Sequence, residues 1–260
     1  MNSNSLKYKI IKKILKNNHV LFTKIFFYNS MGYKLNLNNP KTYNEKIMWT
    51  KLRYYDPLYE KCSDKIEVRD YVKNKGLERN LTKLYGVYNS IDEIKIDELP
   101  QKCAIKTTHG NGCTYIVKDK NTIDEKELSE QINNSLQKNQ YDESLEWQYK
   151  NLKPRIMVEE LIETDKQQMI DYKFFCFEGK VKYIYIAQGI IDRPMDYYID
   201  FYDENWNYIN VRRKNHKSYG PIEKPKKFEE MKQIAEILSK DVQVKVVNSS
   251  HYVTGAVSWW

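Results

Sequence analysis

The spacing of apolar residues along the chain predicts helices in the first third. Between residues 6 and 15 isoleucine and leucine recur at helical spacing, and lysines fill much of the opposite face, which predicts an amphipathic helix. Further helices are predicted over 43–53 and 64–75. Thr42 and Glu45 have the spacing of a capping box at the start of the first, and Gly76 is placed to end the second.

Strand-like patterns dominate from residue 84 onwards. LYGVY (84–88) is a short strand, 91–100 a small helix or turn, and 155–162 a strand that runs into a loop. Alternation over 171–188 predicts a hairpin that turns at Glu178-Gly179-Lys180, and 199–211 predicts another. Polar helical sequence covers 122–150, and a helix with one apolar face covers 225–241. The order of elements predicts an α/β or α+β protein with two or three lobes.

Charge is distributed unevenly along the 260 residues. The formal net charge is +8, but eight lysines and no acidic residue lie between Met1 and Asn44, so the remaining chain is close to neutral. This distribution gives no indication of a nucleic-acid partner. The basic helix has two interpretations: it docks on the domain, or residues 1–28 make a peripheral contact with an anionic membrane surface.

The four cysteines indicate a reducing compartment. Cys62, Cys103, Cys113 and Cys176 form no CxxC pair, and no histidine stands at zinc-ligand spacing from them. The chain has no apparent secretory signal and no apolar run long enough to span a bilayer. We therefore expect a cytoplasmic protein, with the inner face of the membrane as the alternative location.

The stretch CAIKTTHGNGCTYIVK (103–118) contains the strongest candidate chemistry. Gly110 and Gly112 allow backbone N–H groups to converge on phosphate oxygens, and Lys106 adds a positive charge at the end of the incoming strand. It is not a GxxxxGK[ST] loop. Taken alone, the stretch is equally compatible with an ordinary glycine hairpin.

Two other segments contain charged residues at the ends of predicted elements. Lys65 is expected just inside a helix, with Arg69 one turn later, which by itself describes an ordinary charged helix start. Glu159 and Glu160 end an apolar strand, where carboxylates either accept hydrogen bonds from a ligand or are simply solvated.

The order of these segments resembles the TupA-like ATP-grasp family of bacterial surface-polysaccharide gene clusters. The likeness rests on LNLNNPKTYNEKIMW, SDKIEVRDYV, LYGVY, LPQKCAIKTTHGNG, EWQYKNLKPRIMVEELI, DYKFFCFEGKV and DFYDENW, over roughly 30–240. The resemblance implies a nucleotide held between antiparallel sheets. It also implies a basic N-terminal helix (1–30), an N-terminal helical α/β lobe (31–100), a small lobe with a glycine-rich flap (101–165) and an incomplete C-terminal lobe (166–260).

The resemblance also implies roles for individual residues. Lys65 and Lys106 would contact the ATP phosphates from two lobes. The loop from His109 to Gly112 would close over them, and Arg193 would bind an acidic substrate or the transferred phosphate. Candidate catalytic residues are thus Lys106 and Arg193. Candidate ATP-binding residues are Lys65, Lys106, Thr107, His109, Gly110, Gly112, Glu159, Glu160, Ile162 and Lys173, with Asp171 beside the last of these.

The implied reaction is carboxylate–amine ligation through an acyl phosphate, with ATP and Mg²⁺, in cell-surface polysaccharide biosynthesis. An acidic sugar or peptide carboxylate and an amine would be the other substrates. Alternatives are an inactive relic that binds nucleotide or polymer, and a glycosyltransferase. The glycosyltransferase is the weakest of these because the chain lacks a DxD motif.

The C-terminal segment departs from the family pattern. Family members carry late carboxylates for Mg²⁺, in a segment resembling GELT, whereas no Asp or Glu follows Asp241 here. Asn248 is a poor substitute, and Asp200 and Asp203 precede the last predicted helix. The sequence therefore leaves the metal ligands unassigned and predicts a truncation or frameshift near residue 241.

Overall fold

The computed structural model of this protein describes residue 15 and residues 18–110, 113–163, 168–190, 193–213, 216–241 and 244–249. The predicted helix over residues 6–15 lies almost wholly outside these residues. The described part is a mixed α+β fold with two antiparallel sheets, as the sequence predicted.

The first sheet is small and has the strand order β1-β4-β2-β3. Its strands are β1 (Leu84–Tyr88), β2 (Cys103–Thr107), β3 (Thr114–Val117) and β4 (Ile156–Glu159). Helix α5 (Glu125–Leu136) covers one face of this sheet, where its Leu128 and Ile132 pack with Ile105 and Val158. The predicted strand at 84–88 is confirmed, and short 3₁₀ turns fill 91–98 as expected.

The second sheet is larger and has the order β8-β7-β6-β5-β9. Its strands are β5 (Gln168–Phe177), β6 (Lys180–Ile190), β7 (Arg193–Asp203), β8 (Tyr208–Ile209) and β9 (Val244–Ser249). Both predicted hairpins are present. Glu178 and Gly179 have φ of 51° and 76°, the pair of positive values that a type I′ turn requires.

One core joins the large sheet to the first half of the chain. Phe174, Ile184 and Tyr202 pack against Phe228 of helix α7 (Phe228–Ser239). Val68 belongs to the same core, from helix α4 (Glu67–Asn74), which follows helix α3 (Pro57–Ser63). The two helices are therefore fixed on the large sheet.

Three further α-helices belong to the described fold. They are α1 (His19–Met31), α2 (Tyr43–Arg53) and the short α6 (Gln140–Ser144). The capping box at the start of α2 is confirmed: the Glu45 N–H donates to the Thr42 hydroxyl at 3.2 Å, and the Thr42 N–H donates to the Glu45 carboxylate at 2.9 Å.

The helix predicted over 64–75 is present, but it begins later: α4 covers Glu67–Asn74. The structure has α3 and α4 on either side of a turn, and Lys65 lies in that turn rather than inside a helix. The cause is Asp64, whose carboxylate accepts the backbone N–H groups of Ile66 (2.7 Å) and Glu67 (3.1 Å) and so starts a new helix.

Candidate functional site

The turn between α3 and α4 brings Lys65 to the end of strand β2. The Lys65 N–H donates to the Thr108 carbonyl at 3.1 Å, and the Thr108 N–H donates to the Arg155 carbonyl at 2.9 Å. Lys65 comes from a segment fixed on the large sheet, while Thr108 follows a strand of the small sheet. The two parts of the fold therefore meet at this point.

The ammonium of Lys65 points into the loop that follows β2. Its Nζ donates to the carbonyl of Thr107 at 2.9 Å and to that of Gly110. The described part of the glycine loop therefore bends around a lysine that comes from a distant segment. Asn111 and Gly112 lie outside the described residues, so the role predicted for Gly112 stays a prediction.

The pKa of Lys65 is lowered to about 8, chiefly because burial disfavours the charged ammonium. Repulsion from Lys106 lowers this pKa further, and the carboxylates of Asp64 and Glu159 oppose the shift. The two lysines predicted from separate lobes are therefore close enough for the charge of Lys106 to affect the pKa of Lys65. A polyphosphate bound beside both lysines would be attracted by both ammonium groups.

Asp64 fixes the geometry of this junction. It is buried, and besides capping α4 its carboxylate accepts hydrogen bonds from the Thr108 hydroxyl (3.2 Å) and from Arg155 (3.1 Å). Arg155 also donates to Glu67 at 2.9 Å. One carboxylate thus joins the start of α4 to two strands of the small sheet.

Lys106 is held by Glu159 of the neighbouring strand. Its Nζ donates to Glu159 Oε1 at 2.5 Å, and the other carboxylate oxygen accepts the Thr82 hydroxyl at 2.6 Å. Arg69 lies 3.6 Å from that second oxygen, and its guanidinium also donates to the Thr82 carbonyl. Glu159 is only 2% exposed and positions Lys106 within the fold, and its predicted contact with the nucleotide stays a prediction.

Thr107 and His109 are buried beside the same loop. The Thr107 hydroxyl shares a hydrogen bond of 2.7 Å with Ser135, and His109 Nε2 lies 3.0 Å from the Lys138 carbonyl. Burial lowers the pKa of His109, which favours the neutral imidazole at neutral pH. Its Nδ1 is buried and has no hydrogen-bond partner among the described residues.

Glu160 and Ile162 continue from β4 towards the large sheet. Glu160 is exposed, and its backbone N–H donates to the Lys83 carbonyl at 2.9 Å. Its carboxylate accepts the Lys83 N–H at 3.3 Å. Ile162 lies in the loop that follows and is half-buried. Both remain predicted nucleotide contacts. The carboxylate of Glu160 is more accessible than that of the buried Glu159.

The large sheet contributes a second cationic group. Lys173 of β5 donates to Asp171 at 3.4 Å and lies over the ring of Tyr185, 5.2 Å from its centroid. Arg213 donates to the Tyr185 hydroxyl at 3.3 Å, so two cations flank one aromatic ring. Arg193 begins β7, but its side chain is outside the described structure and its predicted role stays untested.

Among the described residues, no group of three or more metal-ligating side chains comes together. Asp200 is buried and accepts hydrogen bonds from Tyr208, Ser218 and the Tyr219 N–H, which gives it a structural role. In β9 the backbone of Asn248 lies opposite Lys173, but its side chain is not described. The Mg²⁺ that the resemblance implies stays a prediction, without assigned ligands among the described residues.

Three residues of the junction were not predicted from the sequence: Asp64, Thr82 and Arg155. Asp64 directly precedes Lys65, so a helix-cap signal was available there. Arg69 was interpreted as an ordinary helix charge, whereas it is buried beside Glu159. Residues 69, 82, 106 and 159 are far apart in the sequence, and only the folded chain brings them together.

Comparison with known proteins identifies one family. A family model described as TupA-like ATPgrasp matches residues 45–255, which is most of the chain. The match extends past Asp241, into the segment predicted to be truncated or frameshifted. A comparison with curated proteins found no match. The predicted frameshift stays a prediction.

Proposed function

The chain belongs to the TupA-like ATP-grasp family, and we propose that it is an ATP-dependent carboxylate–amine ligase. Family membership implies ATP binding. The reaction, its substrates and its place in cell-surface polysaccharide biosynthesis are part of the proposal.

The convergence of Lys65 and Lys106 is the observation that supports this function best. They come from a turn anchored on the large sheet and from a strand of the small sheet, and the charge of one lowers the pKa of the other. Lys106 repels the ammonium of Lys65, and the carboxylates of Asp64 and Glu159 oppose this effect. The triphosphate of ATP relieves that repulsion and adds charge-assisted hydrogen bonds.

Phosphoryl transfer needs positioning and charge more than covalent help from the protein. A carboxylate oxygen of the acidic substrate attacks the γ-phosphorus, the bond to the β-phosphate oxygen breaks, and ADP leaves. The amine nitrogen then attacks the acyl carbon, phosphate leaves, and loss of a proton gives the amide. Lys65 and Lys106 would offset the phosphate charge in the first step.

The proposed substrates are an acidic sugar or peptide carboxylate and an amine. Arg193 would bind the acidic partner, and Lys173 would face the nucleotide from the large sheet. The described residues show no Mg²⁺ ligand set, so we assign no residue to the metal.

Phosphate release from ATP across a panel of amino acids and uronic acids tests the ligase. We expect release to require one carboxylate and one amine together, and to fall at least tenfold in Lys106→Met. Lys95→Met is the matched control, because Lys95 is an exposed lysine paired only with Glu98 at the surface. Release that is equal in all three proteins would contradict the proposal.

A second candidate is a binding protein that keeps the nucleotide site without turnover. The absence of Asp and Glu after Asp241 favours it. Tight ATP binding with no phosphate release for any substrate pair would support this candidate. Amide formation would exclude it.

A further inference from the structure

Helix α1 has apolar side chains on both of its faces. Phe22 and Phe27 point into the domain, where Phe22 packs with Leu145 and Phe27 packs with Leu35. A helix that is apolar all round is normally covered on every side. We therefore asked what covers the other face of α1.

The outward face of α1 consists of four exposed apolar residues around one lysine. These are Val20, Leu21, Tyr28 and Met31, with Lys24 between them. Leu21 is 42% exposed and Tyr28 is 53% exposed. Leu21, Lys24, Tyr28 and Met31 are spaced by three or four residues and lie in one stripe along the helix, and Val20 lies four residues before Lys24. We call this stripe, with Lys24, the outer face of α1.

A shallow groove borders the outer face. Lys24 and Tyr28 line it from the helix, and Lys34 lines it from the segment that follows. Both lysines are exposed. Two ammonium groups beside a tyrosine ring form a surface that fits an anionic phosphate headgroup next to buried acyl chains.

Every charged side chain before Glu45 in the sequence is a lysine. No acidic residue precedes Glu45, and the eight lysines before it include Lys24 and Lys34. Glu45 itself is buried in the capping box of α2. Two copies of the chain packed through this face would bring like charges together, which disfavours a symmetric dimer.

We propose that the outer face of α1 binds an anionic phospholipid surface. Leu21 and Tyr28 enter the interface between headgroups and acyl chains, while Lys24 and Lys34 contact the phosphates. None of the helices in the described ranges is long and apolar enough to cross a membrane, so the proposed contact is peripheral. The proposal is independent of ATP binding.

Vesicle flotation of the full-length chain tests this proposal. We expect the protein to float with phosphatidylcholine vesicles that contain about one third phosphatidylglycerol, and to float much less with phosphatidylcholine alone. Binding should weaken in about 0.5 M salt, because salt screens the lysine contacts.

Two double variants separate the apolar from the charged contribution to vesicle binding. Leu21→Asn with Tyr28→Asn should reduce the bound fraction at least tenfold, and Lys24→Glu with Lys34→Glu should remove the preference for anionic vesicles. The matched control is Ile116→Asn with Val211→Asn, which changes two equally exposed apolar residues on other elements. All variants should show the melting curve of the wild type, which shows that they are folded.

Three results would overturn the proposal. The first is a wild type that does not float with anionic vesicles. The second is flotation of the Leu21, Tyr28 double variant at the wild-type level, which would assign membrane binding to another segment. The third is a wild type that is a dimer in sedimentation velocity and does not bind vesicles, while the Leu21, Tyr28 double variant is a monomer. That result would make the outer face an interface between copies.

Discussion

The lowered pKa of Lys65 makes the proposed ATP affinity depend on pH in a range where an ordinary lysine stays fully charged. Lys65 has a pKa of about 8, since burial and Lys106 both disfavour its ammonium form. Anionic phosphates favour that form. ATP should therefore bind best below this pKa, and binding should weaken as the pH rises through it.

The size of the effect follows from the fraction of Lys65 that carries a proton. With a pKa of about 8 that fraction is about three quarters at pH 7.5 and about 3% at pH 9.5, so the apparent Kd should rise about 25-fold if only the charged form binds. Near pH 8, binding should take up about half a proton per ATP, because the bound lysine becomes fully protonated.

Isothermal titration calorimetry in buffers of different ionisation enthalpy measures both the apparent Kd for ATP and the number of protons taken up on binding. Lys65→Arg keeps its charge across this range, so its affinity should not change with pH and no proton should be taken up. Lys65→Met should bind weakly at every pH. A wild-type affinity that is equal at pH 7.5 and 9.5, or a pH dependence that persists in Lys65→Met, would refute the assignment of Lys65 to the phosphates.

Two further predictions concern stability, measured by urea denaturation. Glu159→Gln should lower the free energy of unfolding by about 3 kcal/mol, because it leaves Lys106 and Arg69 without their buried counter-ion. The exposed Glu98→Gln should cost less than about 0.5 kcal/mol, and equal losses for the two would contradict the buried network. Thr42→Ala should cost about 1 kcal/mol through loss of the capping box, and an unchanged midpoint would contradict that role.

Local patterns predicted many of the individual elements. The capping box at Thr42, the Gly179 turn and the alternation of β5 and β6 are short-range signals, and each is realised where it was expected. The start of α4 was predicted three residues too early, at Asp64 rather than Glu67, because apolar spacing alone does not fix where a helix begins. A side-chain cap within the pattern decides where α4 begins.

The chemistry of the site was only partly predictable. Lys65 and Lys106 were identified from the order of motifs, but their mutual influence depends on the packing of α3 and α4 on the large sheet. Glu159 forms a buried ion pair with Lys106 that was not predicted, and its expected contact with a ligand stays a prediction. No sequence spacing could show this, because the partner lies on a neighbouring strand far away in the chain.

ATP binding to Lys106→Met tests the central claim most directly. Calorimetry with Mg²⁺ present should show that the wild type and Lys95→Met bind ATP equally. Lys106→Met should bind at least tenfold more weakly, since it loses a charge-assisted contact. Melting curves would establish that the variants are folded. Equal ATP affinity in folded Lys106→Met and wild type would contradict the claim that the phosphates lie where Lys65 and Lys106 converge.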